Sequence, residues 1–187
     1  MRSLMVAGFI LLSTVATGQP VQGEGRVSCD AMHVLRNVRL HGAKAVVRKI
    51  WDTPTWACVV GNISTGESHW ISVAIALAPG TDAGSSEELS DSLFLALARN
   101  PTELLVRLPR EQRANGVPSL ASVCEGRTDP PESYEVAIHE YQAARNAVSL
   151  VDSPEVAAAR LRCLTELEAG QAAIRHFYEA SQPNPGS

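Results

Sequence analysis

Aromatic residues are scarce in this 187-residue chain: three each of tryptophan, tyrosine and phenylalanine, 5% in all. Surfaces that stack bases or sugars need more of them. Lysine is scarcer, at Lys44 and Lys49 only. The 16 basic residues are outnumbered by 20 acidic ones, giving a net charge of −4. That balance argues against a general nucleic-acid binder, which must neutralise phosphates. No phosphate loop or dinucleotide fingerprint is present. No Cys-x-x-Cys pair is present either, so the usual zinc and dithiol redox spacings are missing. Long apolar runs are absent as well. The run from Leu4 to Leu12 falls short of the ~20 residues a membrane span takes. With 45% hydrophobic and 19% charged residues, the composition is that of a globular domain.

What is present begins with a leader pattern. Arg2, the short apolar run, and small residues at Ala16 and Gly18 match a secretory signal peptide over 1–18. Cleavage is expected after Gly18. It removes Arg2 and leaves a mature chain of net charge −5, one below the −4 of the full chain. No cysteine lies near the cleavage point, which excludes a lipoprotein anchor. Arginine outnumbers lysine 14 to 2 beside 25 alanines, a usage typical of GC-rich bacterial genes. Export then means the periplasm or secretion, with no stable membrane anchor after cleavage. Residues 19–30 read as a polar leader, 31–181 as a single domain, and 182–187 as a polar tail.

Export sets the meaning of the cysteines. Cys29, Cys58, Cys124 and Cys163 enter an oxidising compartment, where an even number argues for two disulfides. Three connectivities are possible. Sequential pairing, Cys29–Cys58 and Cys124–Cys163, joins segments able to fold locally and is the expectation. Cys29 and His33 are the nearest approach to metal spacing, and no metal or cofactor is expected.

Helical periodicity runs through the mature chain. Residues 31–40 read as a short helix or an irregular segment. Ala43, Val46, Val47 and Ile50 share one face of a helix. Thr53-Pro54 restarts a helix with Trp56, Val59, Val60 and Ile63 as its apolar stripe, leaving Cys58 on the opposite face. Trp70, Val73, Ala74 and Leu77 form the next stripe. Ser85-Ser86-Glu87-Glu88 reads as a capping box, Ser85 accepting and Glu88 reaching back, before a nearly all-apolar helix over 89–97. Asn100-Pro101 opens another helix, and a short one around Leu120–Cys124 ends at Gly126. Asp129-Pro130 is expected to open a long helix and Ser153-Pro154 the last, which runs to about Ala180. In that last helix Cys163, Leu167, Gly170, Ile174 and Phe177 define the packing face. Short loops make consecutive helices neighbours. The fold class expected is all-α, an irregular array of antiparallel helical hairpins braced by two disulfides. The pairs are similar to those stacked in HEAT-type solenoids, but without a fixed period no repeat is assigned.

Motifs for chemistry are thin. His139-Glu140 starts like a zincin motif, but Ala143 stands where the second histidine must be. Glu135, His139, Gln142 and Asn146 read as a solvated helix face, and His176 as a residue favoured by the end of the last helix. Asn62-Ile63-Ser64 has the form of a glycosylation sequon, relevant only to a eukaryotic source. Ser64, Ser68, His69 and Asp82 are the best catalytic constellation available. Two readings follow. The first is an exported, non-catalytic module binding another periplasmic protein: an immunity-like inhibitor, an envelope adaptor or a secretion accessory. The alternative is a small envelope hydrolase using the Ser/His/Asp cluster around 64–82.

Overall fold

Most helices here start where a side chain accepts a hydrogen bond from an otherwise unpaired N–H. The computed structural model describes residues 29–109, 116–131 and 133–181. The expected signal peptide, most of the leader and the tail 182–187 lie outside the described residues. Asp30 caps α1 (Ala31–His41), its carboxylate accepting from the Met32 N–H at 2.9 Å. One residue, Gly42, ends α1 and starts α2 (Ala43–Ile50). Its φ of +80° is open to glycine and strained for residues with a Cβ. Thr53-Pro54 opens α3 (Pro54–Ile63) as expected. Next come α4 (Ser68–Leu77), with a 3-10 turn at Ala78–Gly80, and α5 (Ala83–Leu97). They are followed by α6 (Pro101–Arg107), α7 (Leu120–Glu125) and α8 (Tyr134–Ser149). A second 3-10 turn, Pro154–Val156, leads into α9 (Ala157–Ser181). Among the described residues all regular structure is helical, and the expected all-α class is the fold observed.

Two helix starts and one helix face differ from the sequence expectation. The capping box of α5 is Asp82 with Ser85, three residues earlier than expected. The Ser85 hydroxyl donates to the Asp82 carboxylate at 2.7 Å and accepts from the Asp82 N–H at 2.9 Å. Glu88 is thereby freed, and its carboxylate accepts the Trp56 indole N–H at 2.7 Å. The long helix α8 starts at Tyr134 with Ser133 as its cap, not after Asp129. Pro130 is followed by Pro131, and a residue before proline is disfavoured in the helical region. On α9 the packing face holds Cys163, Leu167, Gly170 and Ile174 but ends there, and Phe177 is half exposed. Tyr178 turns inward instead. It meets the Tyr134 ring at 5.6 Å and donates its hydroxyl to the Pro131 carbonyl.

The core centres on α4 and α5. Ile71, Val73, Ala74 and Leu77 of α4, and Leu89, Leu93, Phe94 and Leu97 of α5, are fully enclosed. The most extensive helix pairings are α8 with α9 and α7 with α9. The principal partners of α7 are therefore α9 and α5, not its neighbours in the chain.

Both expected disulfides are present. Cys124–Cys163 ties α7 to α9 with Cα atoms 5.2 Å apart and both cysteines fully buried. Cys29–Cys58 ties the residue before α1's cap to the outer face of α3, with Cα atoms 6.1 Å apart. Asn62, the sequon asparagine, lies over this bond. Its amide donates to the Cys58 carbonyl at 2.8 Å and lies 3.4 Å from each sulfur.

Candidate functional site

The residues of the Ser/His/Asp reading sit at two ends of one helix. Ser64 ends α3, and its hydroxyl donates to the Gly61 carbonyl at 2.7 Å. Ser68 and His69 open α4, where His69 Nε2 lies 3.1 Å from the Glu67 carboxylate and the ring rests near Trp70. Asp82 lies beyond the other end of α4, capping α5. Ten residues of helix separate the two ends by about 15 Å, too far for an acid to orient an imidazole. Two hydrogen bonds from Ser85, first from its hydroxyl and then from its backbone N–H, hold the Asp82 carboxyl below the usual carboxylate range. Ser64, His69 and Asp82 each have a local partner, and these residues form no nucleophile–base pair.

The other histidines of the sequence reading are on surfaces. Glu135, His139, Gln142 and Asn146 form the exposed face of α8, as expected, and His176 is exposed on α9. The Ser133 hydroxyl bonds to Glu135 and lowers its carboxyl. Among the described residues no group of three His, Cys, Asp or Glu side chains could hold a metal ion.

A partly buried ionic cluster, which the sequence reading missed, lies where α5, α7 and α8 meet. The Arg127 guanidinium stands between Asp91, at 3.6 Å, and Glu140, at 3.3 Å. Asp91 also accepts the Thr128 N–H at 2.8 Å. Burial pushes the Asp91 carboxyl up, against the lowering effect of the Thr128 bond and the Arg127 charge. Beside them the Tyr141 hydroxyl donates to the Glu125 carbonyl at 2.8 Å. Burial, followed by the charges of Glu125, Asp91 and Glu140, pushes that phenol up to about 12. These bonds hold the 126–131 segment onto α5 and α8. They leave no activated nucleophile, so the cluster is a structural one.

The α1–α2 hairpin carries a different pattern. Residues 31–50 hold Arg36, Arg39, Lys44, Arg48 and Lys49 and no acid at all. The whole-chain charge of −4 is therefore the sum of +5 here and −9 elsewhere. All five cations are exposed. Among the described residues none of the five pairs with a carboxylate. By contrast Arg107, Arg127, Arg145 and Arg162 each face a carboxylate, and Arg160 donates to the Val151 carbonyl. Helix dipoles account for part of the pattern, since Arg39, Arg48 and Lys49 lie in last turns. They do not account for Arg36, Lys44 or the missing acids. The charge segregation was readable in the sequence. The chain-wide balance conceals it, since the acids outside the hairpin outweigh its five cations.

Between the two helices runs a groove of about 560 Å³. His33, Asn37 and His41 recur every fourth residue and form one wall on α1, while Ala45 and Lys49 form the other on α2. The apolar lining is Val34 and Val46, both buried, with Ile50, and Thr53 and Thr55 from the start of α3 complete the groove. An apolar floor with a few polar groups at its rim is the usual make-up of a binding cleft. Met32 and Leu40, 63% and 64% exposed, extend the apolar surface of α1 outward. Among the described residues no helix is long and apolar enough to cross a membrane. No protein-family model, no curated protein and no solved structure matches this chain.

Proposed function

We propose that this is an exported binding protein, without catalysis of its own, that engages another protein through the α1–α2 hairpin. The observation that carries the reading is the set of five exposed, unpaired cations on one helical hairpin, with Lys49 among them lining its groove, on a chain that is otherwise acidic. Unpaired charge of one sign steers and orients a partner of the opposite sign. Two disulfides support an oxidising compartment, the periplasm or the exterior. An immunity-like inhibitor, an envelope adaptor and a secretion accessory all fit this description. The separation of His69 from Asp82 by the length of α4 weighs against the hydrolase alternative.

Photo-crosslinking in the source organism tests the reading. A crosslinking residue at Arg39 is expected to give one discrete adduct, and one at Gln142 on the far surface of α8 none. The Arg36→Glu/Lys44→Glu variant should lose the adduct while keeping its circular dichroism spectrum. Equal labelling from both faces rejects the reading. So does a wild-type hydrolytic activity that disappears in a folded Ser64→Ala/Ser68→Ala/His69→Ala/Asp82→Ala variant. Intact mass tests the export step: a mature chain starting at Gln19 is expected, and an unprocessed cytoplasmic chain rejects it.

A further inference from the structure

We propose that Cys29–Cys58 is an exchange-competent disulfide, opened by an external dithiol through attack at the Cys29 sulfur with Cys58 as the leaving thiolate, while Cys124–Cys163 stays closed. This inference stands apart from the binding reading above, because it concerns the chemistry of the bond and not a partner of the hairpin. Exchange requires that an attacking thiolate reach one sulfur and that the other sulfur leave as a stabilised thiolate. The two disulfides differ on both counts. Cys124 and Cys163 are fully enclosed, so a reagent reaches them only when α7 and α9 part. Cys29 and Cys58 are both partly exposed, on the outer face of α3. A hydrogen-bond donor stands beside this outer bond: the Asn62 amide, 3.4 Å from each sulfur.

Asn62 sets the direction of attack. It lies one turn beyond Cys58 on α3, and its amide donates to the Cys58 carbonyl at 2.8 Å. The donor therefore stays with Cys58 when Cys29 departs. A thiolate gains more from such a donor than a neutral sulfur does, and a stabilised thiolate is the better leaving group. Attack at Cys58 would instead free a Cys29 thiolate next to Asp30, whose carboxylate already takes the cap of α1. In the favoured direction the reagent's thiolate bonds to the Cys29 sulfur as the Cys29–Cys58 bond breaks. The electron pair of that bond leaves on Cys58, which then takes up a proton. The reagent's second thiol loses its proton and displaces Cys29 from the mixed disulfide, and Cys29 is protonated in turn. Both cysteines end as thiols and the dithiol as a disulfide, so two electrons and two protons pass from reagent to protein. The fold survives the step, because Ala31, Val34, Val46 and Val47 remain to bury the hairpin against the core. Only the covalent tie between the start of α1 and α3 is released.

The test treats the mature, oxidised chain with dithiothreitol in native buffer. Samples are quenched in acid and alkylated with N-ethylmaleimide for intact mass and peptide mapping. A species labelled at Cys29 and Cys58 only is expected first, with an unchanged circular dichroism spectrum. Cys124–Cys163 should open at least about 100-fold more slowly, since an enclosed bond reacts only through an unfolding event. A Cys-x-x-Cys oxidoreductase whose second cysteine is replaced by serine should be captured as a mixed disulfide on Cys29. Asn62→Leu keeps the bulk of the side chain and removes the donor. It is expected to slow reduction about fivefold, the worth of one hydrogen bond. Asn62→Asp, which sets a negative charge beside the leaving thiolate, should slow it further. If Asn62 did no more than cover the bond, Asn62→Ala would speed reduction; slowing is the expected result. Simultaneous opening of both bonds, or earlier opening of Cys124–Cys163, overturns the inference. So does capture on Cys58, a lack of capture, or an Asn62→Ala rate equal to or above that of the wild type. Capture uses the wild-type chain, so the outcome is decided even where an Asn62 variant misfolds.

Discussion

Tyr141 is the residue on which the second half of the molecule converges. Its ring stacks obliquely on Phe94, with centroids 5.0 Å apart, and its hydroxyl reaches the end of α7 at Glu125. Two glycines make room for it. A Cβ on Gly126 would run into the phenol, and one on Gly170 would meet the Glu125 carbonyl oxygen and then the Tyr141 ring. Gly170 offers a test in which two effects have opposite signs. Helix propensity favours alanine over glycine by about 1 kcal/mol in an exposed helix interior. Overpacking against backbone costs about 1–3 kcal/mol. Because α9 can yield only by moving off α7, Gly170→Ala is expected to be net destabilising, read as a lower urea midpoint. Tyr141→Phe is expected to lose about 1 kcal/mol at neutral pH, the net worth of one hydrogen bond. A phenol whose ionisation is pushed up to about 12 in the folded state stabilises the fold fully below pH 10. That contribution fades as pH rises toward 12, because the unfolded state loses its proton first. The stability gap between wild type and Tyr141→Phe should therefore narrow between pH 10 and 12 in urea titrations.

At the scale of elements, the two disulfides do different work. In the chain-entropy account, loops of 29 and 39 residues give about 3.5–4 kcal/mol each. Burial separates them. Cys124 and Cys163 are wholly enclosed between α7 and α9, so removing that pair also removes core contacts. Cys29 is only partly buried, and its bond lies on the outside of α3. Cys124→Ala/Cys163→Ala is therefore expected to lower the urea midpoint more than Cys29→Ala/Cys58→Ala. The second variant has another consequence, because Cys29–Cys58 pins the start of α1 to α3. Its loss should speed amide exchange in α1 and α2 while leaving α7 and α9 protected, which hydrogen exchange with mass spectrometry can read. Equal deprotection throughout would show that the hairpin is not a separable unit.

The whole molecule has a polarised charge. The positive end is one hairpin, and the remainder is −9. Like charges on a surface repel until salt or a counter-charged partner relieves them. Poly-glutamate at about 0.02 M salt is expected to raise the thermal midpoint of the wild-type chain. The rise should vanish in Arg36→Glu/Lys44→Glu and shrink by about 0.3 M salt, where screening shortens the reach of exposed charges. A rise unaffected by salt or by charge reversal would place polyanion binding elsewhere on the surface.

Much of this was legible from residue order alone. The helical class followed from apolar residues at three- and four-residue spacing. The α3 start followed from Thr53-Pro54, whose geometry depends on neighbours in the chain. The disulfide pairing was anticipated as the sequential one of three, because Cys58 falls opposite its helix's apolar stripe and Cys163 on the inner face of α9. The five cations of α1 and α2 were legible too, once charge is counted by segment. Tertiary structure decided the rest. Asp82 took the α5 cap from Ser85, which left Glu88 free to accept the indole N–H of Trp56, 32 residues away. Asp91, Arg127 and Glu140 form one cluster only because α5 and α8 pack side by side. The catalytic grouping of Ser64, Ser68, His69 and Asp82 looked near in sequence, yet a rigid ten-residue helix holds its ends apart. Local spacing determines which side chains share a helix face, since the backbone period is fixed at about 3.6 residues. Which faces then meet depends on how whole helices pack, and that depends on every side chain in the core at once.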